Sequence, residues 1–361
     1  MLDSMYSEAI RKKDSINEQS KDLFDKTLNV DSKWISEKIP PNETKHVLAA
    51  GDGSFNKKKF LGYNFYAVAA ESLIYNPNTP ESRLKSIESV ELDLIEHQSF
   101  IEDKLRNMMS IFEIKTAIKT FNQFDIDYYM DDGSILGDLI RPIPREKDTS
   151  SLINSKILKK IHNNILNEVN NDDMNISSLK FKEEFNELFD NNNGEEKALI
   201  SFLENLERLL AIRLLLSNKE KIIAISKTST SNDLFQANVP DMAILDKFTR
   251  NEGYSKPYYK KVDSQVKRDF PIRNHFFREL WFTIFFARLE DNMNIIKIEL
   301  PYYAKEDEIK EILSILKSNS TDGYPYLLKK AHHDVIIRHK DIESLSQIIE
   351  FIDKSGREML D

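Results

Sequence analysis

Two short stretches of this sequence pair a carboxylate with residues that let it face solvent. Residues 47–50 form an apolar run of strand type that ends on Gly51-Asp52-Gly53-Ser54. The run reads as a short buried strand, and the two glycines free the backbone for a tight exit. Asp52 then stands at the mouth of a sheet, where a carboxylate can meet a metal ion. The pattern recurs at 126–134, where a second strand-like run ends on Asp131-Asp132-Gly133-Ser134. If the two strands are neighbours, two carboxylates reach one sheet edge. Asp and Gly are also ordinary turn residues, so either stretch alone is consistent with a plain turn. Pleat alternation turns Asp131 away from the side that Asp132 faces.

A third carboxylate is more telling. Glu113 lies inside 108–118, a stretch apolar on most sides and therefore a buried helix. A charge there is costly unless it is paired or metal-bound. The plain alternative is a Glu at the helix edge that reaches water or an internal Arg. Glu102, three turns earlier, is the rival position. Near the C-terminus stands Gly323-Tyr324-Pro325-Tyr326, followed by Leu327, Leu328, Ala331, His332 and His333. Gly and Pro mark a turn, and a short helix carries the histidines. Adjacent histidines point to different helix faces, so at most one enters a given site. A surface or capping histidine is the plain alternative.

Composition limits the chemistry these groups can do. There is no cysteine, which excludes disulfides, thiolate nucleophiles and Cys-ligated zinc, and fits a reducing cytoplasm. Any metal is held by carboxylates and the seven histidines, a donor set suited to Mg²⁺ or Mn²⁺. The formal net charge of −9 counts against DNA as a simple surface ligand. It leaves room for an enzyme whose acids hold metals and whose bases line one groove. No apolar run approaches membrane-spanning length, and the N-terminus lacks a signal-peptide pattern, so no membrane association is expected.

The elements that must position these residues follow from periodicity. Residues 1–36 read as a polar helix of mixed charge, closed by Pro40 and Pro41. Strand-like runs at 47–50, 63–70 and 90–95 suggest an antiparallel meander. A buried helix spans about 98–122, and the strand ending at Asp132 follows it. Three strands, a helix and a strand, with acids ending the first and fourth strands, is the order of a ribonuclease H-like core. Residues 149–217 read as a helical insertion, ending in a helix with leucines at helical spacing. This is a packed arm, with a partner surface as the alternative. Strands return at 222–226, 280–289 and 295–300, and helices at about 306–317 and 342–355. Residues 251–274 read as a basic loop. There Lys256, Lys260, Lys261, Lys267, Arg268 and Arg273 alternate with Tyr254, Tyr258 and Tyr259. Cations with interleaved rings suit a single nucleic-acid strand, and a solvated loop fits equally well.

Taken together, the motifs resemble the NurA nuclease family. They are Gly-Asp-Gly-Ser at 51–54, a helix Glu nineteen residues before Asp132 in the second Asp-Gly-Ser, and the C-terminal Gly-Tyr-Pro-Tyr-Leu segment ending in Ala331-His332. Ala224-Ile225-Ser226-Lys227-Thr228-Ser229 is similar to the family's strand-then-Lys segment. Phe286-Ala287-Arg288-Leu289 and Ile298-Glu299-Leu300-Pro301 are similar to its paired late strands. The likeness spans roughly 46–335. No Walker A motif is present, so the chain is not the ATPase partner.

The resemblance implies an α/β fold: a ribonuclease H-like mixed sheet flanked by helices, with a helical insertion. It implies a metal-dependent DNA nuclease, endonuclease on single strands and 5′→3′ exonuclease, acting in end resection as a homodimer with a hexameric HerA-type translocase. The implied ion is Mn²⁺, with Mg²⁺ as the alternative, in a two-metal site. The implied ligands are Asp52, Glu113, Asp132 and His332, and the implied functional tyrosine is Tyr324. The doubled His332-His333 leaves the histidine register open by one. Lys227 is a candidate phosphate contact, and Lys260, Lys261, Lys267 and Arg268 are candidate DNA contacts. The expected division is an N-terminal helical segment over 1–45, a nuclease domain over 46–340 and a C-terminal helix over 341–361. Two rivals remain. A catalytically inactive ribonuclease H-like scaffold would lack part of the acidic set. A phosphotransferase would need a Gly-rich phosphate loop, and the nine glycines form no such cluster.

Overall fold

The structure is a computed structural model that describes residues 2–22, 24, 29–79, 84–97, 100–140, 155–171, 174–180, 196–265 and 275–349. Helix α1 (Asp3–Asp22) and the two-residue strand β1 (Trp34–Ile35) come first. Three long strands follow: β2 (Leu48–Lys59), β3 (Tyr63–Tyr75) and β4 (Leu84–Glu96). Helix α2 (Ile101–Gln123), strand β5 (Tyr128–Asp132) and helix α3 (Ile135–Ile140) are next. Helices α4 (Ser155–Asn170), α5 (Ser177–Lys180) and α6 (Glu196–Leu215) precede strand β6 (Ile222–Ser226). Then come α7 (Asp241–Phe248), β7 (Gly253–Ser255), β8 (Tyr258–Lys261), α8 (Val262–Gln265), α9 (His275–Glu279), β9 (Trp281–Arg288) and β10 (Ile296–Leu300). The chain continues through α10 (Glu306–Ser318), the hairpin of β11 (Ser320–Thr321) and β12 (Tyr324–Pro325), α11 (Tyr326–Val335) and α12 (His339–Ile348).

The main sheet is mixed and runs β1-β7-β9-β10-β6-β5-β2-β3-β4, with β8 also paired to β9. β2, β3 and β4 form the antiparallel meander. β5 lies parallel to β2, and β6 parallel to β5. Parallel neighbours need a crossover. Helix α2 supplies one, and the run α3–α6 precedes the next strand. Every residue of β6 and β10 is buried, as expected of central strands covered on both faces. On one face, α2, α4 and α6 pack over Ala49, Tyr129, Ile222 and Ala224. On the other, α10 and α11 pack over Leu48, Ala50, Met130, Ile223 and Ile225. The alternation along β2, β5 and β6 thus assigns each residue to a helical layer.

Three sequence expectations are corrected. Residues 1–36 are not one helix: α1 ends at Asp22, and Trp34–Ile35 pairs with β7. Of residues 251–274, the stretch 251–265 is not a plain loop, because β7 and β8 both join the sheet beside β9, and 266–274 lie outside the described residues. Aromatic and β-prone residues there outweigh the charges that suggested solvent. Strand β2 does not exit at its glycines. It runs through Asp52 to Lys59, paired with β3 throughout. The glycines leave room instead. A Cβ on Gly51 would come within 2.0 Å of the Tyr129 hydroxyl, and one on Gly53 within 2.6 Å of Glu113 Oε1 and 2.7 Å of Met109 Cγ. Glycine inside a strand here marks close approach, not a turn.

Candidate active site

Strand register brings the two motifs together. Gly51 of β2 stands beside Asp131 of β5, so Asp52 and Asp132 follow one residue on in adjacent parallel strands. Both lie on the pleat side that carries Leu48, Ala50 and Met130, facing α10 and α11. Asp131 lies on the side of Tyr129 and α2. The pleat does separate Asp131 from Asp132, but it turns Asp131 toward Glu113.

Asp52 is buried and held at both oxygens. Oδ1 accepts the Gly53 N–H at 2.8 Å, and Oδ2 lies 2.6 Å from His332 Nδ1. Burial pushes its carboxyl up, the nearby charge of Asp132 adds to this, and His332 and the Gly53 N–H oppose it. His332 stands on α11, which buries Leu327, Leu328, Ala331 and Val335. The side chain of His332 is 52% exposed, while that of His333 is 79% exposed and faces Asp334 at 3.8 Å. The chain beyond α11 is pinned to β2. Ser54 Oγ accepts the Ile337 N–H at 3.0 Å, and Asn56 Nδ2 donates to the Ile337 carbonyl at 3.0 Å.

Asp132 gathers two further groups. Its Oδ2 lies 2.6 Å from Lys227 Nζ, at the end of β6, and its Oδ1 accepts the Tyr324 hydroxyl at 3.4 Å. The Lys227 ammonium also sits 5.2 Å from the centre of the Tyr324 ring. Burial and then the charges of Asp132 and Asp52 push the Tyr324 hydroxyl far up, so it keeps its proton. Tyr324 follows Gly323, whose φ of +71° is left-handed and favours glycine. The turn after Asp132 is clamped by Ser226 Oγ, which donates to the Gly133 carbonyl at 2.7 Å, and by Glu299, which accepts from Ser134 Oγ at 2.7 Å.

Donor atoms of Asp52, Asp132 and His332 all lie within 4.8 Å of one another, the one such group among the described residues. Two carboxylates and an imidazole without thiolate suit a hard divalent cation. Glu113 is not part of this group. It reaches the same end of β2 from the α2 side, against Gly53. Burial pushes its carboxyl well up, reinforced by the charges of Asp131, Asp52, Asp138 and Asp132. Burial likewise pushes Asp131 up to about 8, with Asp138, Asp132 and Asp52 adding to it. Asp52 and Asp132 on one face, and Glu113, Asp131 and Asp138 on the other, therefore load one end of the sheet with negative groups.

The remaining candidates stand elsewhere. Glu102 pairs with Lys57 at 3.2 Å on the surface. Lys260 pairs with Asp233 at 2.6 Å and Lys261 with Glu279 at 3.6 Å, on β8. That strand pairs with the early part of β9, Trp281 to Ile284, away from the carboxylates. Lys267 and Arg268 lie outside the described residues. Sequence reasoning missed Asp131, Ser54, Ser134 and Glu299. Glu299 carries the same signal that singled out Glu113, a carboxylate within an apolar run. The two serines recur at one position of the repeated motif, and each anchors another segment of the chain.

Residues 46–337 match the family model described as the NurA domain. A probable DNA double-strand break repair nuclease NurA from Methanocaldococcus jannaschii is 33% identical over 370 residues, covering 97% of this chain and 88% of that protein. The crystal structure of the NurA nuclease from Sulfolobus solfataricus superposes with a TM-score of 0.74 at 21% identity, covering 97% of each chain. A crystal structure of NurA bound to dAMP and manganese superposes with a TM-score of 0.68 at 18% identity, covering 99% of this chain and all of that one.

Proposed function

The chain belongs to the NurA family, and from that premise we propose how its residues carry out DNA cleavage. It is a metal-dependent DNA nuclease of double-strand break repair. The observation that carries the site assignment is the convergence, within 4.8 Å, of donor atoms of Asp52 and Asp132 on adjacent parallel strands and of His332 on α11. These three residues would hold a divalent ion, Mn²⁺ or Mg²⁺, and Glu113 would complete the set for a two-ion arrangement. Such an ion, when bound, supplies activation of water and relief of charge at the phosphodiester.

The chain's own groups do the rest. Lys227 offers a cation beside the carboxylates, where it can meet the phosphate that is cut. Tyr324 keeps its proton and donates it as a hydrogen bond toward the same point. His332 orients Asp52 through Nδ1, and its side chain stays half exposed. Glu113 reaches the same end of β2 from the α2 face, against Gly53.

The strand order β4-β3-β2-β5-β6 supports a ribonuclease H-like core within the 46–340 nuclease domain, with 1–45 and 341–361 as flanking helical segments. The family points further, to single-strand endonuclease and 5′→3′ exonuclease action, to a homodimer and to a hexameric HerA-type ATPase that delivers DNA ends in the cytoplasm. No described helix is long and apolar enough to cross a membrane. A net charge of −9 supports the need for delivery, because long-range attraction to duplex DNA is weak. The inactive-scaffold alternative is not favoured, since the carboxylate and imidazole set is complete.

The test is cleavage of end-labelled single- and double-stranded DNA with Mn²⁺, with Mg²⁺ and with EDTA. Cleavage that requires the ion and is lost in Asp52→Asn and Asp132→Asn is expected. Full cleavage in EDTA, or by either variant, would overturn the assignment. Adding the cognate ATPase with ATP should raise the rate on duplex ends far more than on short single strands.

A further inference from the structure

We propose that the inserted helix α6 is the positioning element of the active site, with its buried carboxylates holding α2 in one rotation and so fixing where Glu113 enters. This rests on Glu113 as an active-site acid.

Helix α2 turns three lysines toward the inserted segment. Lys104 Nζ lies 2.7 Å from Glu204 Oε1. Lys115 Nζ lies 2.7 Å from Glu207 Oε1 and donates to the Asn175 carbonyl at 2.5 Å. Lys119 Nζ donates to the Asn171 carbonyl at 2.9 Å. Glu207 is held in turn by the Ser177 N–H at 3.0 Å and the Ser177 hydroxyl at 3.0 Å. The Lys115 and Glu207 side chains are 0% and 1% exposed.

Pairs this deeply buried are poor sources of stability, because desolvation cancels much of the attraction and apolar replacements are often neutral or better. What they supply is direction. The contact of α2 with β3 includes an apolar cluster: Leu105, Met108, Ile111 and Phe112 against Tyr66, Val68 and Ala70. Such contacts tolerate a small rotation, and an ion pair at hydrogen-bond length with a buried lysine does not. A side-chain tip about 6 Å from the helix axis moves by about 1 Å for a rotation of roughly 10°. A misplacement of about 1 Å can cost about a hundredfold in rate. Glu113 has little room for error, because it lies where even a methyl group on Gly53 would collide with it.

Helix α6 also grips the second motif. Arg208 Nη1 lies 3.2 Å from Asp138 Oδ1, and Nη2 donates to the Asp138 carbonyl at 3.4 Å. Asp138 belongs to α3, which begins just after the Asp132 turn, and its charge acts on both Glu113 and Asp131. One helix thus joins the element that carries Glu113 to the one that follows Asp132. In this role Glu204, Glu207, Lys104 and Lys115 are positioning residues.

A double-mutant cycle tests this. The neutral pair Lys115→Met/Glu207→Gln is made in the full chain, alone and with Glu113→Gln. Melting temperature, kcat and KM are measured on an end-labelled single strand with saturating Mn²⁺. The pair variant should melt within about 5 °C of the parent. Its kcat should fall tenfold or more while KM stays within twofold. In the Glu113→Gln background the same change should cost less than twofold. Equal losses in both backgrounds, a loss carried by KM, or an unchanged kcat would overturn the proposal. Should the pair variant not fold, Glu204→Gln, whose partner Lys104 is 17% exposed, should give the same pattern at about threefold in kcat, and an unchanged kcat there also overturns it. If Glu113→Gln alone keeps the parental rate, Glu113 is not an active-site acid, and the assignment it rests on falls first.

Discussion

His332 Nδ1 lies 2.6 Å from Asp52 Oδ2 although the two residues stand 280 positions apart. The contact joins helix α11 to strand β2. It also distinguishes the doubled histidines, since His333 points to solvent beside Asp334. We expect His332→Ala to lower the cleavage rate a hundredfold or more with Mn²⁺, and His333→Ala to stay within about twofold. Initial rates of both purified variants decide it. Equal loss in the two would mean that the helix, not the imidazole, is what matters.

Gly53→Ala should be damaging for a reason that a turn would not give. The added methyl would meet Glu113 Oε1 at 2.6 Å and Met109 Cγ at 2.7 Å. Overpacking of this kind costs about 1–3 kcal/mol, and the displaced Glu113 adds a loss of rate. At Gly62, where a Cβ meets nothing within 4 Å, the same substitution should leave the rate unchanged. Equal behaviour of the two variants in melting and cleavage would discard the close-approach account of the first motif.

Part of this geometry was legible in the sequence. Asp52 and Asp132 stood out as carboxylates ending strand-like apolar runs, Glu113 as a carboxylate inside a buried helix, and His332 through the C-terminal motif that resembles the family's, and the structure brings the donor atoms of Asp52, Asp132 and His332 together. The meander and the buried helix were legible because periods of 2 and 3.6 are written in the apolar residues. What was not legible depends on partners far away in the chain. Gly51 and Gly53 looked like a turn because a sequence does not display Tyr129 or Glu113 pressing on the strand. The basic stretch at Lys260 and Lys261 looked free because Asp233 and Glu279 are distant in sequence. Asp131 was dismissed by a correct pleat argument that lacked the opposite face, where Glu113 waits.

Glu71 gives a pH dependence apart from catalysis. It stands directly across from Asp52 on β3, with Glu88 beyond it on β4. Burial pushes its carboxyl up to about 7, Asp334 and Glu88 add to this, and Lys330 opposes it. A carboxyl raised on folding favours the protonated native state. Its contribution is therefore fully present below the unfolded value near 4.5 and is lost as pH rises through about 7. Glu71→Gln mimics the protonated form. It should match the parent at pH 4 and exceed it by about 1–2 kcal/mol at pH 8, after allowance for solvent screening. Urea midpoints at the two pH values test this, and a variant less stable than the parent at pH 8 would reverse the sign.

Lys227 and a divalent cation must draw on the same carboxylate. The Lys227 ammonium lies 2.6 Å from Asp132 Oδ2, and Asp132 is one of the three grouped donors. The lysine side chain is 41% exposed, so the pair is a partly solvated one, worth about 0.2–1 kcal/mol. Removing it by Lys227→Met should tighten Mn²⁺ binding by up to about fivefold, the affinity equivalent of the upper end of that energy. The same substitution deletes the cation offered to the phosphate, so cleavage at saturating metal should fall by tenfold or more. The two readouts move in opposite directions, which a general disturbance of the site cannot produce. Calorimetric titration of Mn²⁺ without DNA gives the first, and initial rates on single strands give the second. Weaker metal binding together with slower cleavage would make Lys227 a structural prop of Asp132 rather than a competitor for it. An unchanged rate with tighter binding would remove it from the phosphate.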